Sequence, residues 1–257
     1  MHRVAITGAA GHIGSVLRRG LADRPLRLLD RRPLAAERES DQVRQVDLGD
    51  PVATGDALAG VDAVVHLAAC PDEAPFDRIL ADNVVATQHV FEAARLQSVR
   101  RVVFASSVHV TGFHRWGRLT GPADPIRPDT YYGVSKAFGE ALGSMYADKY
   151  GLEVVCLRIV AFAAEPTHPA FLAGWLSHGD AVRLVRAALD APDIGFLVCY
   201  GVSRNTRTFY TRDGWAELGY VPADDAETFA YRWPDADAHW PEYQGMDFTD
   251  PDYRGSA

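Results

Sequence analysis

The sequence predicts an α/β fold of Rossmann type, a doubly wound parallel sheet carrying a small C-terminal substrate lobe. Three observations predict it. A glycine-rich turn follows the first apolar run, short β-rich runs then alternate with helical stretches, and prolines loosen the pattern after about Val160. Strands covered by helices on both faces lose the alternation of a half-exposed strand, which is what these runs show.

Taken in order, Arg3–Thr7 reads as a strand and Ile13–Ala22 as a helix. Leu26–Leu29, Val43–Val46 and Ala63–Leu67 read as further strands, each apolar and bounded by turn or charged residues. Ile79, Val84, Val90, Phe91 and Ala94 keep helical spacing, which predicts one long helix from Phe76 to about Gln97. Arg101–Ala105 and Glu153–Ile159 are strands around a helix over Tyr132–Tyr150. Beyond Val160 only Ala181–Leu189 and Thr211–Leu218 read as helices and Phe196–Cys199 as a late strand. Residues 1–160 are therefore expected to form the dinucleotide-binding part. Residues 161–257 are expected to form a substrate lobe and tail, interleaved with the sheet rather than independent.

The chain has 257 residues, 47% of them hydrophobic, and a net charge of −8. That balance argues against nucleic acid, because phosphate binding needs a basic face, and an anionic membrane is not favoured. No apolar run approaches the ~20 residues of a membrane span. The chain opens on a strand-and-turn pattern rather than a leader, so a cytoplasmic setting is expected. Cys70, Cys156 and Cys199 are widely spaced and form neither a disulfide framework nor a metal site. The acidic tail from Tyr231 carries Trp233, Trp240, Tyr243, Phe248 and Tyr253. It reads either as a strap on its own subunit or as a contact in the homo-oligomer expected of this chain.

Thr7-Gly8-Ala9-Ala10-Gly11-His12-Ile13-Gly14 joins strand to helix. Gly8 permits the tight turn, Gly11 lets backbone approach a pyrophosphate, and Gly14 lets helix and strand pack closely, while the helix N-terminus faces the phosphates. Asp30 ends the second strand, where a carboxylate accepts from ribose hydroxyls and repels a 2′-phosphate. NAD is thus favoured over NADP, although Arg31 and Arg32 offer partners for that phosphate. Asp47-Leu48 follows the third strand and either flanks the adenine or forms a turn.

Tyr132-Gly133-Val134-Ser135-Lys136 opens a helix, and residues four apart share one helical face. A cation ~4 Å from a phenol, at an effective dielectric of ~20, is worth about 4 kcal/mol. That would carry the tyrosine from its ordinary value near 10 toward neutrality, so a lowered Tyr132 is expected, able to exchange a proton with a substrate oxygen. Ser107 follows the fifth strand at the sheet's carboxyl edge, where it can hold the same oxygen, with Ser106 supporting the turn or the cofactor.

These motifs, with His66-Leu67-Ala68-Ala69, Asn83 and Gly112, resemble those of the extended short-chain dehydrogenase/reductase family. The resemblance implies NAD-dependent oxidoreduction with Ser107, Tyr132 and Lys136 as the catalytic set. It also implies a cofactor channel lined by Leu67, Ala68 and Ala69, an Asn83 that ties the long helix to the sheet, and Ile159 beside the nicotinamide. Within the family, Phe104–His109, Arg127-Pro128-Asp129, Phe138-Gly139-Glu140, Arg158-Ile159, Glu165-Pro166 and Trp175–His178 look like bacterial uronate dehydrogenases.

The departures fall on the implied substrate positions. Val108 and Pro71 stand where that subgroup has polar residues, Ala161 stands for a serine, and Ala170 for the arginine that grips the sugar carboxylate. His109 is retained and reads either as a substrate contact or as a structural loop histidine, and His168 or a nearby arginine is the substitute for the missing arginine, though without its fork. The expected reaction interconverts a secondary alcohol and a ketone on a cyclic sugar-like or nucleoside-like molecule. Uronate oxidation with a rearranged carboxylate site and an NAD-retaining epimerase or dehydratase are the alternatives.

Overall fold

The computed structural model describes residues 3–255 and shows one seven-stranded parallel sheet. Strands β1 (Val4–Thr7), β2 (Leu26–Asp30), β3 (Gln42–Gln45), β4 (Ala63–His66), β5 (Arg101–Ser107), β6 (Glu153–Ile159) and a late strand Phe196–Gly201 run in spatial order β3-β2-β1-β4-β5-β6 and then the late strand. Order reverses between β1 and β4, and open sheets bind ligands in the crevice at such a switch point. Across it the Thr7 hydroxyl lies 2.7 Å from His66 Nδ1 and accepts from the backbone N–H of Leu67 and Ala68. Burial holds His66 down to about 3, assisted by the charge of Lys136, so the ring is neutral and acts as a hydrogen-bonding spacer.

Helices cover both faces. On one side α1 (His12–Gly20) packs with a helix over His178–Asp190 above Ile6, Leu28, Val65 and Val155. On the other, α2 (Pro51–Leu58) and helix Ala86–Leu96 cover Leu29, Val64, Val102 and Cys156. Sequence reasoning gave no helix at Pro51–Leu58, yet its start was written there. Asp50 caps Val52 and Ala53, and Pro51 sits where its missing N–H costs nothing.

The stretch expected as one helix from Phe76 is two: α3 (Phe76–Ile79) and α4 (Ala86–Leu96), joined by a π-helical segment Leu80–Val85. Such a segment widens the turn, as π-bulges at functional sites do. It buries Asn83, whose amide donates to Cys70 O and Ser135 Oγ while its oxygen accepts from Cys70 N. The segment is thereby locked to the loop after β4 and to α5 (Tyr131–Tyr150).

Beyond β6 the elements are short. Strands β7 (Ala161–Phe162) and β8 (Trp175–Leu176) pair with each other, α6 (Phe171–Gly174) precedes β8, and α7 (His178–Asp190) leads to β9 (Phe196–Gly201), which pairs with β6. Of the helix expected over Thr211–Leu218, only α8 (Trp215–Leu218) forms. Gly214 at φ 85° is left-handed and stops the helix from extending back. The tail is a strap on its own chain: Gly245 N donates to Gly112 O, Gln244 Nε2 to Thr120 Oγ1, and the Tyr253 hydroxyl to Asp72.

Candidate active site

The glycine turn lies at the mouth of the switch-point crevice. Gly8 has φ 67°, and a Cβ there would come within 2.8 Å of Ala68 N, so the loops after β1 and β4 touch through it. A Cβ at Gly14 would overlap the Gly8 carbonyl. The turn is therefore packed backbone against backbone, with His12 exposed and Ile13 beside Leu67, Ala105 and Ile159 along an apolar crevice. Asp30 is 7% exposed and braces the turn: one carboxylate oxygen accepts from Ala10 N and the other from Arg32 N, both at 2.9 Å. Arg31 turns away to Asp82, 3.2 Å distant on the π-helical segment.

Asp47 is exposed and accepts from Gly49 N, the geometry of a turn aspartate, whereas Leu48 is buried and its carbonyl meets the His89 ring. Leu67, Ala68 and Ala69 are half-buried along the crevice. Asn83 lies behind them, on Ser135 and Cys70 rather than on the open cleft.

Ser107, Tyr132 and Lys136 converge. Thr130 caps α5 on Gly133 N, which starts the helix so that Tyr132 and Lys136 share its inward face. Lys136 is buried, donates from Nζ to Ala105 O at 2.8 Å, and lies 5.5 Å from the centre of the Tyr132 ring. Burial brings the ammonium down to about 8. Tyr132 departs from the sequence expectation. Burial pushes the phenol up to about 12, against the pull of its hydrogen bond with Ser107, and Asp129 and Asp72 push it further up. The ammonium sits on a carbonyl and over the ring rather than at the hydroxyl, so desolvation and nearby carboxylates win.

Ser106 points the other way. Its hydroxyl donates at 2.6 Å to Glu140, which grips Arg158 through two bonds of 2.9 and 2.8 Å, tying β5, β6 and α5 together. Of the implied substrate positions, Val108 is in the core and Ala161 is buried at the start of β7. Pro71 is exposed at the rim beside Asp72 and Glu73, and Glu73 accepts from Tyr132 N. Ala170 is 2% exposed, and its N–H donates to His168 Nδ1. His109 lies edge-on to Tyr132 at 5.6 Å and stacks on Phe248 at 3.9 Å. Sequence reasoning gave no site role to Asp72, Glu73, Asp129 or Phe248. Only the Arg127-Pro128-Asp129 motif hinted at one of them.

Residues 4–193 match the family model described as NAD dependent epimerase/dehydratase family. The chain belongs to that family. The bare glycine turn, braced by Asp30, fits the pyrophosphate and ribose of NAD, and this member of the family is an NAD-dependent oxidoreductase. It is 40% identical to a uronate dehydrogenase of Pseudomonas putida over 257 residues, 96% of each chain. It is 36% identical to an L-arabinose 1-dehydrogenase (NAD(P)(+)) of Haloferax volcanii, covering 89% of this chain and 99% of that one. Among solved structures, a tyrosine-to-alanine variant of uronate dehydrogenase from Agrobacterium tumefaciens complexed with NAD superposes with a TM-score of 0.92 at 37% identity, covering 99% of both chains.

Proposed function

We propose that this enzyme interconverts a hydroxyl-bearing carbon and a carbonyl on a cyclic, sugar-like or nucleoside-like molecule carrying no carboxylate at the recognition site. The observation that carries the reading is the convergence of Ser107, Tyr132 and Lys136 beside the Gly8 turn. The backbone at Gly11 and the N-terminus of α1 would receive the pyrophosphate, with Gly8 and Gly14 shaping the turn, Asp30 the adenosine ribose, Lys136 the second ribose, and Ile159 the nicotinamide. When bound, NAD supplies the two-electron acceptor. The rest falls to side chains. Ser107 Oγ holds the substrate oxygen, and Tyr132 Oη takes up its proton in oxidation or returns it in reduction. Because the phenol holds its proton firmly, the free protein is prepared to act as an acid, which suits carbonyl reduction. In oxidation the phenolate would draw on Ser107, whose hydrogen bond already pulls the phenol down.

Charge argues for an uncharged substrate. Asp72, Glu73 and Asp129 crowd Tyr132, while a buried methyl stands at Ala170. A carboxylate drawn from water needs charge-assisted partners, and these groups would repel it. The second reading, uronate oxidation, rests on the 40% identity to a uronate dehydrogenase.

The test is NADH fluorescence on binding, followed by turnover with glucuronate, galacturonate, glucose, arabinose and a ribonucleoside. Neutral compounds should exceed the uronates by roughly a hundredfold in kcat/KM, about the worth of a lost bidentate clamp. Uronates as the best substrates would replace the first reading with the second. No turnover, or no NADH binding, would defeat both.

A further inference from the structure

One of the carboxylates near Tyr132, buried Asp129, also holds a second ring of the site, that of His109. Asp129 precedes the cap residue of α5, and its side chain is completely buried. Three glycines from distant parts of the chain make room for it. A Cβ at Gly112 or at Gly245 would collide with its Oδ2, and one at Gly133 would stand 3.1 Å from its Oδ1. Those glycines belong to the loop after β5, the first turn of α5 and the C-terminal strap. The carboxylate takes a hydrogen bond from Thr130 Oγ1 at 2.9 Å and one from His109 Nδ1 at 2.7 Å.

We propose that Asp129 is a positioning residue that fixes His109 as a hydrogen-bond acceptor for a substrate hydroxyl beside Tyr132. A carboxylate accepts only, so the nitrogen facing it, Nδ1, must carry the proton. In the neutral ring Nε2 is then the acceptor, and the partner of Nδ1 sets that choice. Phe248 stacked at 3.9 Å covers one face of the ring, and Ser107 Oγ accepts from the His109 backbone N–H at 3.3 Å, so tautomer and ring plane are both held. An acceptor at Nε2 selects a group that can donate. A ring hydroxyl meets that requirement on a neutral sugar and on a uronate alike, in keeping with the likeness of Phe104–His109 and Arg127-Pro128-Asp129 to uronate dehydrogenases. The inference deepens the alcohol–carbonyl reading and rests on it for its substrate, but its statement about the ring stands on Asp129 alone.

The first experiment needs no substrate. Long-range proton–nitrogen spectra of imidazole-labelled protein at pH 8, with His109→Asn for assignment, should show His109 protonated at Nδ1 and bare at Nε2. Asp129→Asn should lose that signature, because an amide can present either a donor or an acceptor to Nδ1. A proton on Nε2 in the wild type, or an unchanged ring in the variant, would overturn the proposal.

The second is a double-mutant cycle on the best compound of the panel, with thermal melts confirming folding. Asp129→Asn and His109→Asn should each lower kcat/KM roughly tenfold to a hundredfold, with NADH affinity within about twofold of wild type. The double variant should be no worse than His109→Asn alone. Additive losses would mean that Asp129 does not act through His109. Should no compound be turned over, the substrate reading fails while the spectra still decide the role of Asp129.

Discussion

Lys136 and Tyr132 stack rather than hydrogen-bond: the ammonium lies 5.5 Å over the phenol ring and donates to the Ala105 carbonyl at 2.8 Å. A buried cation with one neutral partner is costly, which is why the group falls from 10.5 to about 8. Between those values the unfolded chain holds a proton that the folded chain has released, so stability from this group rises with pH through that window. Lys136→Met lacks the dependence. The melting temperature of wild type should therefore gain on that of Lys136→Met by about 3 °C or more between pH 7 and pH 10. Parallel curves would show that Lys136 is not desolvated in the free protein.

Tyr132→Phe removes the only atom proposed to move the proton while keeping the ring that packs with Cys70, Ala74 and Ile79. Turnover should fall by roughly a hundredfold to ten-thousandfold, the usual worth of a positioned acid or base. NADH binding and the melting temperature should stay near wild type. Residual turnover within tenfold would assign the proton to another group.

Gly8→Ala tests the entrance. The left-handed φ of 67° costs a non-glycine residue about 1–2 kcal/mol. The added methyl also has only 2.8 Å to Ala68 N, a backbone atom that cannot swing aside. Titration with NADH should show affinity reduced at least about tenfold, with a lowered melting temperature. Unchanged affinity would place the dinucleotide elsewhere.

The crevice was legible in the sequence because its determinants are local. Gly8, Asp30 and the Tyr132–Lys136 spacing each follow from one turn, one strand end or one helical face. Helix α2 is equally local, announced by the Asp50-Pro51 cap. The raised phenol of Tyr132 was not legible. Its sign depends on where Lys136 Nζ finds a partner and on carboxylates brought in from Asp72 and Asp129, which are sequence-distant from one another. The π-helical segment also escaped, since the same apolar spacing suits a continuous helix and only the bonds of Asn83 to Cys70 and Ser135 reward the widened turn. Asp129 is the extreme case. Its pocket is assembled from Gly112, Gly133 and Gly245, and no spacing rule joins a loop after β5 to a strap more than a hundred residues later.

Asp30 has one observed role and one proposed role, and one substitution can separate them. Its oxygens brace Ala10 N and Arg32 N, and the same carboxylate is proposed to meet the adenosine ribose. Asp30→Asn keeps an acceptor for one of those N–H groups but removes the charge that repels a 2′-phosphate. Arg31 and Arg32 stand alongside, the first held only by an exposed pair with Asp82 that a phosphate can outbid. The ratio of NADPH to NADH affinity should therefore rise by about tenfold or more in Asp30→Asn, chiefly through tighter NADPH binding. Asp30→Ala should add a stability loss of about 1–3 kcal/mol, because Ala10 N is left without its acceptor. Should both variants weaken the two dinucleotides equally, Asp30 is a brace for the turn alone, and selection of NAD arises from another part of the cleft.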